Sequence, residues 1–294
     1  MMTLDPGLAG TPLKPLTVSV PWRRTTNYAA AVGDANPCYF DDMEESGLVA
    51  PPTFPVALTW PLVSDLGRFL VIDTFPQEVL ITQVHYSEHL ILHRLVRPGD
   101  LLTLEGEITA ILPHRAGTHA VVRIIARDAS DAPVFTEYLG AMFRGVTCEG
   151  EGVVLDLPEI PAAGEGLAEG WTAQLDVDPL APYLYDAGSD IVFPIHTSPK
   201  FAREVGLPGI LLQGTATLAF AIREIVNRAC GGDPHRIREL ACRFTGMVAP
   251  GTPIRVCSLG TEDAGAETRL FFEVLNAEGR KALRNGYVTF TKER

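Results

Sequence analysis

The feature that most constrains this chain is an internal duplication, in which one order of sequence patterns occurs twice. Each copy opens with a tyrosine-containing segment that we interpret as a helix start, at residues 28–34 and again at residues 185–190. A proline-containing segment, a short polar helix with a glycine, a longer apolar helix and a series of strands follow in both copies. Because the 294 residues suit two domains of roughly 130–150 residues each, we predict two similar domains.

A stretch rich in glycine, proline, glutamate and alanine separates the two copies at residues 147–170. Such a composition is typical of a linker between domains. We therefore predict an N-terminal domain over residues 1–148, a linker over residues 149–170 and a C-terminal domain over residues 171–294.

The longer helix of each copy indicates how its domain is built. We predict these helices over residues 52–66 and 213–230, the second ending at the pair Gly231-Gly232. The first three turns of the second helix are apolar nearly all round, and such a helix is buried, so the strands must wrap it. The short polar helices are predicted within residues 41–52 and 197–209. The strands are predicted at residues 79–94, 100–111, 117–127, 133–146, 236–246, 253–260, 267–275 and 281–292.

A central helix followed by a long antiparallel sheet is an α+β arrangement, and a sheet that wraps such a helix is the hotdog fold. The predicted fold is therefore two tandem hotdog domains, each an antiparallel sheet wrapped around a central helix, packed against each other as a pseudo-dimer. The sequence leaves open whether two chains form a homodimer.

Charge and cysteine content exclude several classes of function. The formal net charge is -12, and an acidic chain is a poor partner for nucleic acid or for an anionic membrane surface. No apolar run reaches the length of about 18 residues that a membrane-spanning helix needs, and the first residues do not resemble a leader peptide. The five cysteines have no CxxC spacing, so we expect neither a zinc site nor a disulfide framework, and we expect a cytoplasmic protein.

Two short motifs in the second copy carry the residues for chemistry. One ends in Pro194-Ile195-His196, and the other is Gln213-Gly214-Thr215 at the predicted start of the apolar helix. A histidine exchanges protons near neutral pH. A glycine at a helix start offers a backbone N–H and the positive end of the helix dipole to a developing oxyanion.

On these motifs, the chain resembles the MaoC-like (R)-specific enoyl-CoA hydratases and 3-hydroxyacyl dehydratases in their tandem double-hotdog form. Residues 32–41 and 49–54 resemble the substrate-side half of that family, and residues 194–197 and 209–217 resemble its catalytic half. The resemblance implies a catalytic pair, a site for the thioester carbonyl and a substrate pocket. The implied catalytic pair is His196 with Asp190. The implied site for the thioester carbonyl is Gly214 with Gln213 and Thr215, and the implied substrate pocket contains Tyr185 and Phe193.

The chain departs from the family signature at three positions. Asp190 precedes His196 by six positions where the signature has five, and Phe193 stands where the signature has asparagine. In the first copy Asp34 and Asn36 are kept, but Tyr39 occupies the place of the histidine. We therefore predict one active site per chain, in the C-terminal domain.

The implied activity is a hydro-lyase that adds water to, or removes it from, an enoyl or 3-hydroxyacyl thioester of coenzyme A or an acyl-carrier protein, with no metal and no cofactor. Two alternatives stay open: a hotdog thioesterase, disfavoured because residues 215–222 contain no acid, and a non-catalytic thioester-binding partner subunit. His85, His89 and His93 have helical metal-site spacing, but they fall in a predicted strand. Four strand residues span about 13 Å, too far for one ion to be shared.

Overall fold

The structure is a computed structural model, and it describes residues 2–43, 47–165, 167–168 and 170–292. Short 3₁₀ turns connect several of its elements. The described helices and strands of the first half are β1 Thr3–Leu4, β2 Leu16–Ser19, α1 Trp22–Ala31, α2 Pro55–Ser64, α3 Leu66–Phe69, β3 Gln83–Leu92, β4 Leu101–His114, β5 Gly117–Arg127, β6 Pro133–Arg144, β7 Thr147–Cys148 and β8 Val153–Val154. Those of the second half are β9 Thr172–Asp176, α4 Ala181–Ser189, α5 Pro194–Thr197, α6 Pro199–Glu204, α7 Gly214–Ala229, β10 Ile237–Phe244, β11 Pro253–Ala264, β12 Glu267–Leu275 and β13 Lys281–Thr291.

The two halves share one continuous antiparallel sheet. Its strand order is β2-β4-β5-β6-β3-β10-β13-β12-β11-β9, with β8 added beside β4. The order on one side of the β3–β10 pair mirrors the order on the other side, and Leu90 lies opposite Leu240 at this junction. The predicted α+β fold of two hotdog domains, each with a sheet that curves around a central helix, is therefore confirmed.

The central helices are buried because their sequences offer no polar face. Residues 215–222 of α7 are all buried, as are most residues of α2, and both helices face the inner side of the sheet. The charged residues of α7 begin at Arg223, while Ile225 and Val226 beyond it remain buried. Because burial of an apolar side chain contributes roughly 1.5–3 kcal/mol, these helices and the inner sheet face supply the main stabilisation of the fold.

Helices α1 and α4 form the contact between the halves on the helix side of the sheet. The rings of Tyr28 and Tyr185 lie 5.8 Å apart, and their hydroxyl oxygens are 3.4 Å apart. Gly188 packs so closely that a Cβ placed on it would lie 2.5 Å from the Ala31 Cβ and 2.8 Å from the Asn27 carbonyl oxygen. The absence of a side chain at Gly188 therefore allows the two helix backbones to approach.

The segment between the halves lies on the outer face of the sheet. Val154 pairs with Ala110 of β4, and Ile160 and Leu167 pack against a small outer cluster that contains Phe271. The predicted linker thus covers apolar side chains over part of its length. The predicted boundaries at residues 148 and 171 stay predictions.

The local predictions failed at three places. Tyr28 does not start a helix, because α1 begins at Trp22 directly after Pro21, and α4 likewise begins at Ala181, ahead of Tyr185. The polar helix predicted within residues 41–52 falls partly on residues 44–46, outside the described residues, and the described part of that range contains no helix. Its counterpart in the second half is confirmed as α6.

Candidate active site

His196 lies in the short helix α5, whose position is fixed by hydrogen bonds to the segment that precedes α7. The His196 Nδ1 atom lies 2.9 Å from the Leu211 carbonyl oxygen, and the Leu211 N–H donates to the Ile195 carbonyl oxygen at 3.2 Å. Because a carbonyl oxygen can only accept, this partner assigns the proton of the neutral ring to Nδ1. The Nε2 atom is then unprotonated and can act as a base.

The environment of His196 keeps its ring neutral. Burial lowers the pKa of His196 from its ordinary value, and the hydrogen bond to the Leu211 carbonyl opposes this shift only in part. Desolvation disfavours the charged imidazolium. A neutral ring at pH 7 is the form that a general base requires.

Gly214 is the first residue of α7, three positions after the carbonyl that holds His196. Its backbone N–H has no partner inside the helix, as for the first residues of any α-helix, and the helix dipole is positive there. A Cβ placed on Gly214 would lie 2.9 Å from the Phe244 Cδ1 atom. Glycine is therefore required at this position for Phe244 to pack directly beneath the first turn.

The two neighbours of Gly214 are tied to helix α4. The Gln213 Nε2 atom donates to the Pro182 carbonyl oxygen at 2.9 Å, while its Oε1 atom is buried without a partner among the described residues. Thr215 is buried beside the Tyr185 phenol, and its hydroxyl has no hydrogen-bond partner of good geometry in the described part of the chain. The start of α7 therefore contains two polar atoms that the described protein atoms leave unsatisfied.

The two predicted pocket residues have different surroundings. Tyr185 is fully buried against Tyr28, and this burial raises its pKa well above the ordinary value. Phe193 is 42% exposed, and its ring lies edge-on to the rings of His196 and Phe201, each at 6.4 Å. Phe193 thus places an exposed apolar surface next to the imidazole.

Asp190 forms the C-terminal cap of α4 in a left-handed conformation, with φ 58°, and its N–H donates to the Asp186 carbonyl oxygen. Its side chain is 73% exposed, and its carboxylate lies 3.7 Å from the Arg24 guanidinium of α1. Among the described residues, no hydrogen bond or ion pair joins Asp190 to His196. The structure brings His196 to the start of α7 and places Asp190 against α1.

In the corresponding motif of the first half, the side chains are buried or hydrogen-bonded to their neighbours. The buried Asp34 carboxylate accepts a hydrogen bond from the Asn36 amide at 2.8 Å, and that amide also donates to Asn227 near the end of α7. Tyr39, at the position of the missing histidine, is fully buried, and burial raises its pKa well above the ordinary value. This motif therefore contributes packing against α7.

Side chains that were not predicted as site residues surround the start of α7. Phe244 packs against Gly214, the His85 ring lies 4.5 Å from the Phe244 ring, and Glu88 lies 3.1 Å from His85. The three spaced histidines do not converge, since His89 contacts Glu239 and His93 follows the end of β3. The sequence signal that points to Glu88 is that it is the one acidic residue of β3.

Two known domain families match separate parts of the chain. Residues 176–276 match the MaoC like domain, and residues 8–137 match the FAS1-like, dehydratase domain region.

Several curated proteins are similar in sequence. The peroxisomal enoyl-CoA hydratase 2 of Arabidopsis thaliana is 35% identical over 95 residues, which are 32% of this chain and 29% of that protein. The alignment thus spans less than a third of that relative. The probable enoyl-CoA hydratase 2 of Dictyostelium discoideum is 25% identical, over 69% of this chain and 68% of that protein. A UPF0336 protein of Streptomyces coelicolor is 31% identical, over 45% of this chain and 100% of its own length.

Solved structures share the fold over nearly the whole chain. A MaoC-like dehydratase from Phytophthora capsici superposes with a TM-score of 0.83 at 22% identity, covering 97% of both chains. A conserved hypothetical protein of Mycobacterium tuberculosis, described as a double hotdog fold, superposes with a TM-score of 0.63 at 14% identity, covering 96% of both chains. With the family matches in both halves and this shared architecture, the chain belongs to the MaoC-like dehydratases of double-hotdog form.

Proposed function

We propose that this protein is a hydro-lyase that adds water to an enoyl thioester, or removes water from a 3-hydroxyacyl thioester. The observation that carries the proposal is the Nδ1 contact between His196 and the Leu211 carbonyl. This contact leaves a basic Nε2 atom close to the start of α7, where the backbone N–H of Gly214 has no partner inside the helix. Relatives named enoyl-CoA hydratase 2 support the same reaction.

In the hydration direction, the His196 Nε2 atom takes a proton from water while the water oxygen bonds to the β-carbon of the enoyl group. The electrons of the double bond move towards the thioester carbonyl, whose oxygen gains negative charge. The Gly214 N–H and the dipole of α7 stabilise that oxygen. The imidazolium then delivers its proton to the α-carbon, so that H and OH have been added across the double bond and the enzyme is restored.

The proposed substrate is a thioester of coenzyme A or of an acyl-carrier protein, and the reaction uses no metal and no further cofactor. The exposed ring of Phe193 and the unsatisfied polar atoms of Gln213 and Thr215 surround the thioester in this proposal. One site per chain is proposed, since Tyr39 is buried at the position of the second histidine.

None of the described helices is long and apolar enough to cross a membrane. We propose a cytoplasmic location, supported by five free cysteines. Two relatives carry the word peroxisomal in their names, so fractionation of cells into cytosol and organelles is the test of this proposal.

The test of activity is to incubate the protein with crotonyl-CoA and with longer and branched enoyl-CoAs while the enoyl absorbance is followed. The wild type should hydrate at least one of these, and His196→Ala should lose about 10²–10⁴-fold in kcat, the usual contribution of a general base. The exposed His93→Ala is the matched control and should match the wild type.

Each alternative function has its own outcome in the same assay. Release of free thiol from saturated acyl-CoA identifies a thioesterase. Binding of enoyl-CoA without turnover identifies a non-catalytic partner subunit. Equal hydration rates in the wild type and His196→Ala contradict the proposed role of the imidazole.

A further inference from the structure

Two glutamates are fully buried on the inner face of the sheet. Glu88 on β3 and Glu137 on β6 are both 0% exposed, and none of their four carboxylate oxygens has a hydrogen-bond partner of good geometry among the described residues. Burying an ionised carboxylate without such partners is strongly unfavourable. The two side chains therefore need a physical explanation.

The register of the strands brings the two carboxyl groups together. Glu137 lies opposite Leu90, and Glu88 lies opposite Leu139, so the two glutamates are diagonal neighbours on one face of the sheet. The irregularity between His85 and Ser87 inserts one extra residue, and this bulge turns His85 towards the same face as Glu88. The His85 Nε2 atom lies 3.1 Å from a Glu88 carboxylate oxygen.

Within the described part of the chain, the titratable groups that face this pair supply no positive charge. They are Tyr28 of α1, Tyr185 of α4, Cys242 directly opposite on β10, and His85. From α2, the pair is met by the hydroxyl of Thr59. Burial lowers the pKa of His85 to about 4, so this ring is neutral at pH 7. Burial raises the pKa of Glu88 to about 8 and raises that of Glu137 well above its ordinary value.

Two lines of contact join the pair to the start of α7. The first runs from Glu88 to His85 at 3.1 Å, and from the His85 ring to the Phe244 ring at 4.5 Å. Phe244 in turn packs beneath Gly214, within 2.9 Å of the place where a Cβ would stand. The second runs through Tyr185, which lies beside Thr215 and whose pKa is raised in part by its electrostatic interaction with Glu88.

We propose that Glu88 and Glu137 keep a proton between them at neutral pH, and that this protonated pair is a positioning element for the reaction. It holds His85 and Phe244 beneath the first turn of α7, where the thioester carbonyl binds. The inference rests on the proposed function, because the rate of hydration is what reports the position of His85 and Phe244. Loss of the shared proton to solvent leaves two like charges side by side in a buried site, and their repulsion displaces Glu88 and His85.

The main test is the pH dependence of kcat in Glu137→Gln and Glu88→Gln. In the wild type, kcat should fall on the alkaline side by about ten-fold per pH unit as the pair loses its proton. A glutamine amide donates a hydrogen bond at every pH and does not ionise, so the alkaline fall in kcat should be lost in each variant, whatever its kcat at neutral pH. The exposed Glu105→Gln, also on a strand, should show the wild-type profile. An alkaline fall that is the same in all four proteins overturns the proposal.

A spectroscopic test does not depend on activity. The infrared C=O stretch of a protonated carboxylic acid should be present in the wild-type protein at neutral pH, and it should weaken in Glu88→Gln and Glu137→Gln. Absence of that band in the folded wild type refutes the shared proton. If the band is present but no enoyl thioester is hydrated at any pH, the proposed function has failed and the protonated pair stands.

Discussion

Replacing Gly214 with alanine tests whether the carbonyl of the substrate binds at the backbone N–H of this residue. The added methyl carbon would lie 2.9 Å from the Phe244 Cδ1 atom, whereas carbon atoms in optimal contact are about 3.5–4.0 Å apart. The Phe244 ring must therefore retreat by about 0.6–1.1 Å, or the first turn of α7 must shift by the same amount. The His85 ring, with its centroid 4.5 Å from that of Phe244, limits the retreat.

We expect Gly214→Ala to lower the activity much more than the stability. Overpacking a core costs about 1–3 kcal/mol, and alanine in place of glycine in a helix returns about 1 kcal/mol. The net loss of about 0–2 kcal/mol should lower the melting temperature by only a few degrees in a protein of this size. A displacement of about 1 Å at a reacting centre can cost about 10²-fold in rate, so we expect kcat/KM for enoyl-CoA hydration to fall by about that factor.

The measurement is kcat/KM together with thermal unfolding for Gly214→Ala and for Gly209→Ala. Gly209 precedes the same helix, and a Cβ added to it meets no atom of the described residues within 4 Å, so this control should retain its activity and its melting temperature. Wild-type activity in Gly214→Ala would refute the idea that the substrate carbonyl approaches this backbone N–H.

Three further predictions concern the contact between the halves, Asp190 and the buried pair. Gly188→Ala should destabilise the protein by about 1–3 kcal/mol in denaturant unfolding, because its methyl group would overlap Ala31; an unchanged midpoint contradicts the close helix contact. Asp190→Asn should lower kcat by less than about ten-fold, since an exposed pair with Arg24 is worth roughly 0–1 kcal/mol; a loss as large as in His196→Ala would make Asp190 catalytic. The Glu88 carboxyl has a folded-state pKa raised from 4.5 to about 8, so its contribution to stability is full below pH 4.5 and declines as the pH rises towards 8. Glu88→Gln should therefore lose less stability than the wild type between pH 5 and pH 8 in denaturant titrations.

The sequence predicted the strands and the central helices well, because alternation and all-round apolarity follow directly from burial. The helix predicted over residues 213–230 is observed as Gly214–Ala229, and the strand predicted over residues 117–127 is observed as Gly117–Arg127. The short strands β1, β2, β7, β8 and β9 were missed, since two to five residues carry too little pattern to indicate a strand.

The candidate site was harder to predict, since it depends on contacts between distant parts of the chain. The motif around His196 identified a histidine near the helix start. The direction in which the Asp190 side chain points, however, is set by its left-handed backbone at the end of α4 and by Arg24 of the other half. The bulge that turns His85 towards Glu88 comes from the register between strands, which one strand's sequence does not contain.

A crystal structure with a bound thioester analogue that cannot be hydrated would show directly whether the start of α7 binds the thioester carbonyl. We expect the analogue's carbonyl oxygen to lie about 2.7–3.1 Å from the Gly214 nitrogen, the range of an oxyanion-hole hydrogen bond. The His196 Nε2 atom should face the carbon that accepts water. An analogue bound with its carbonyl away from α7, or with the imidazole turned from the acyl group, would contradict the account.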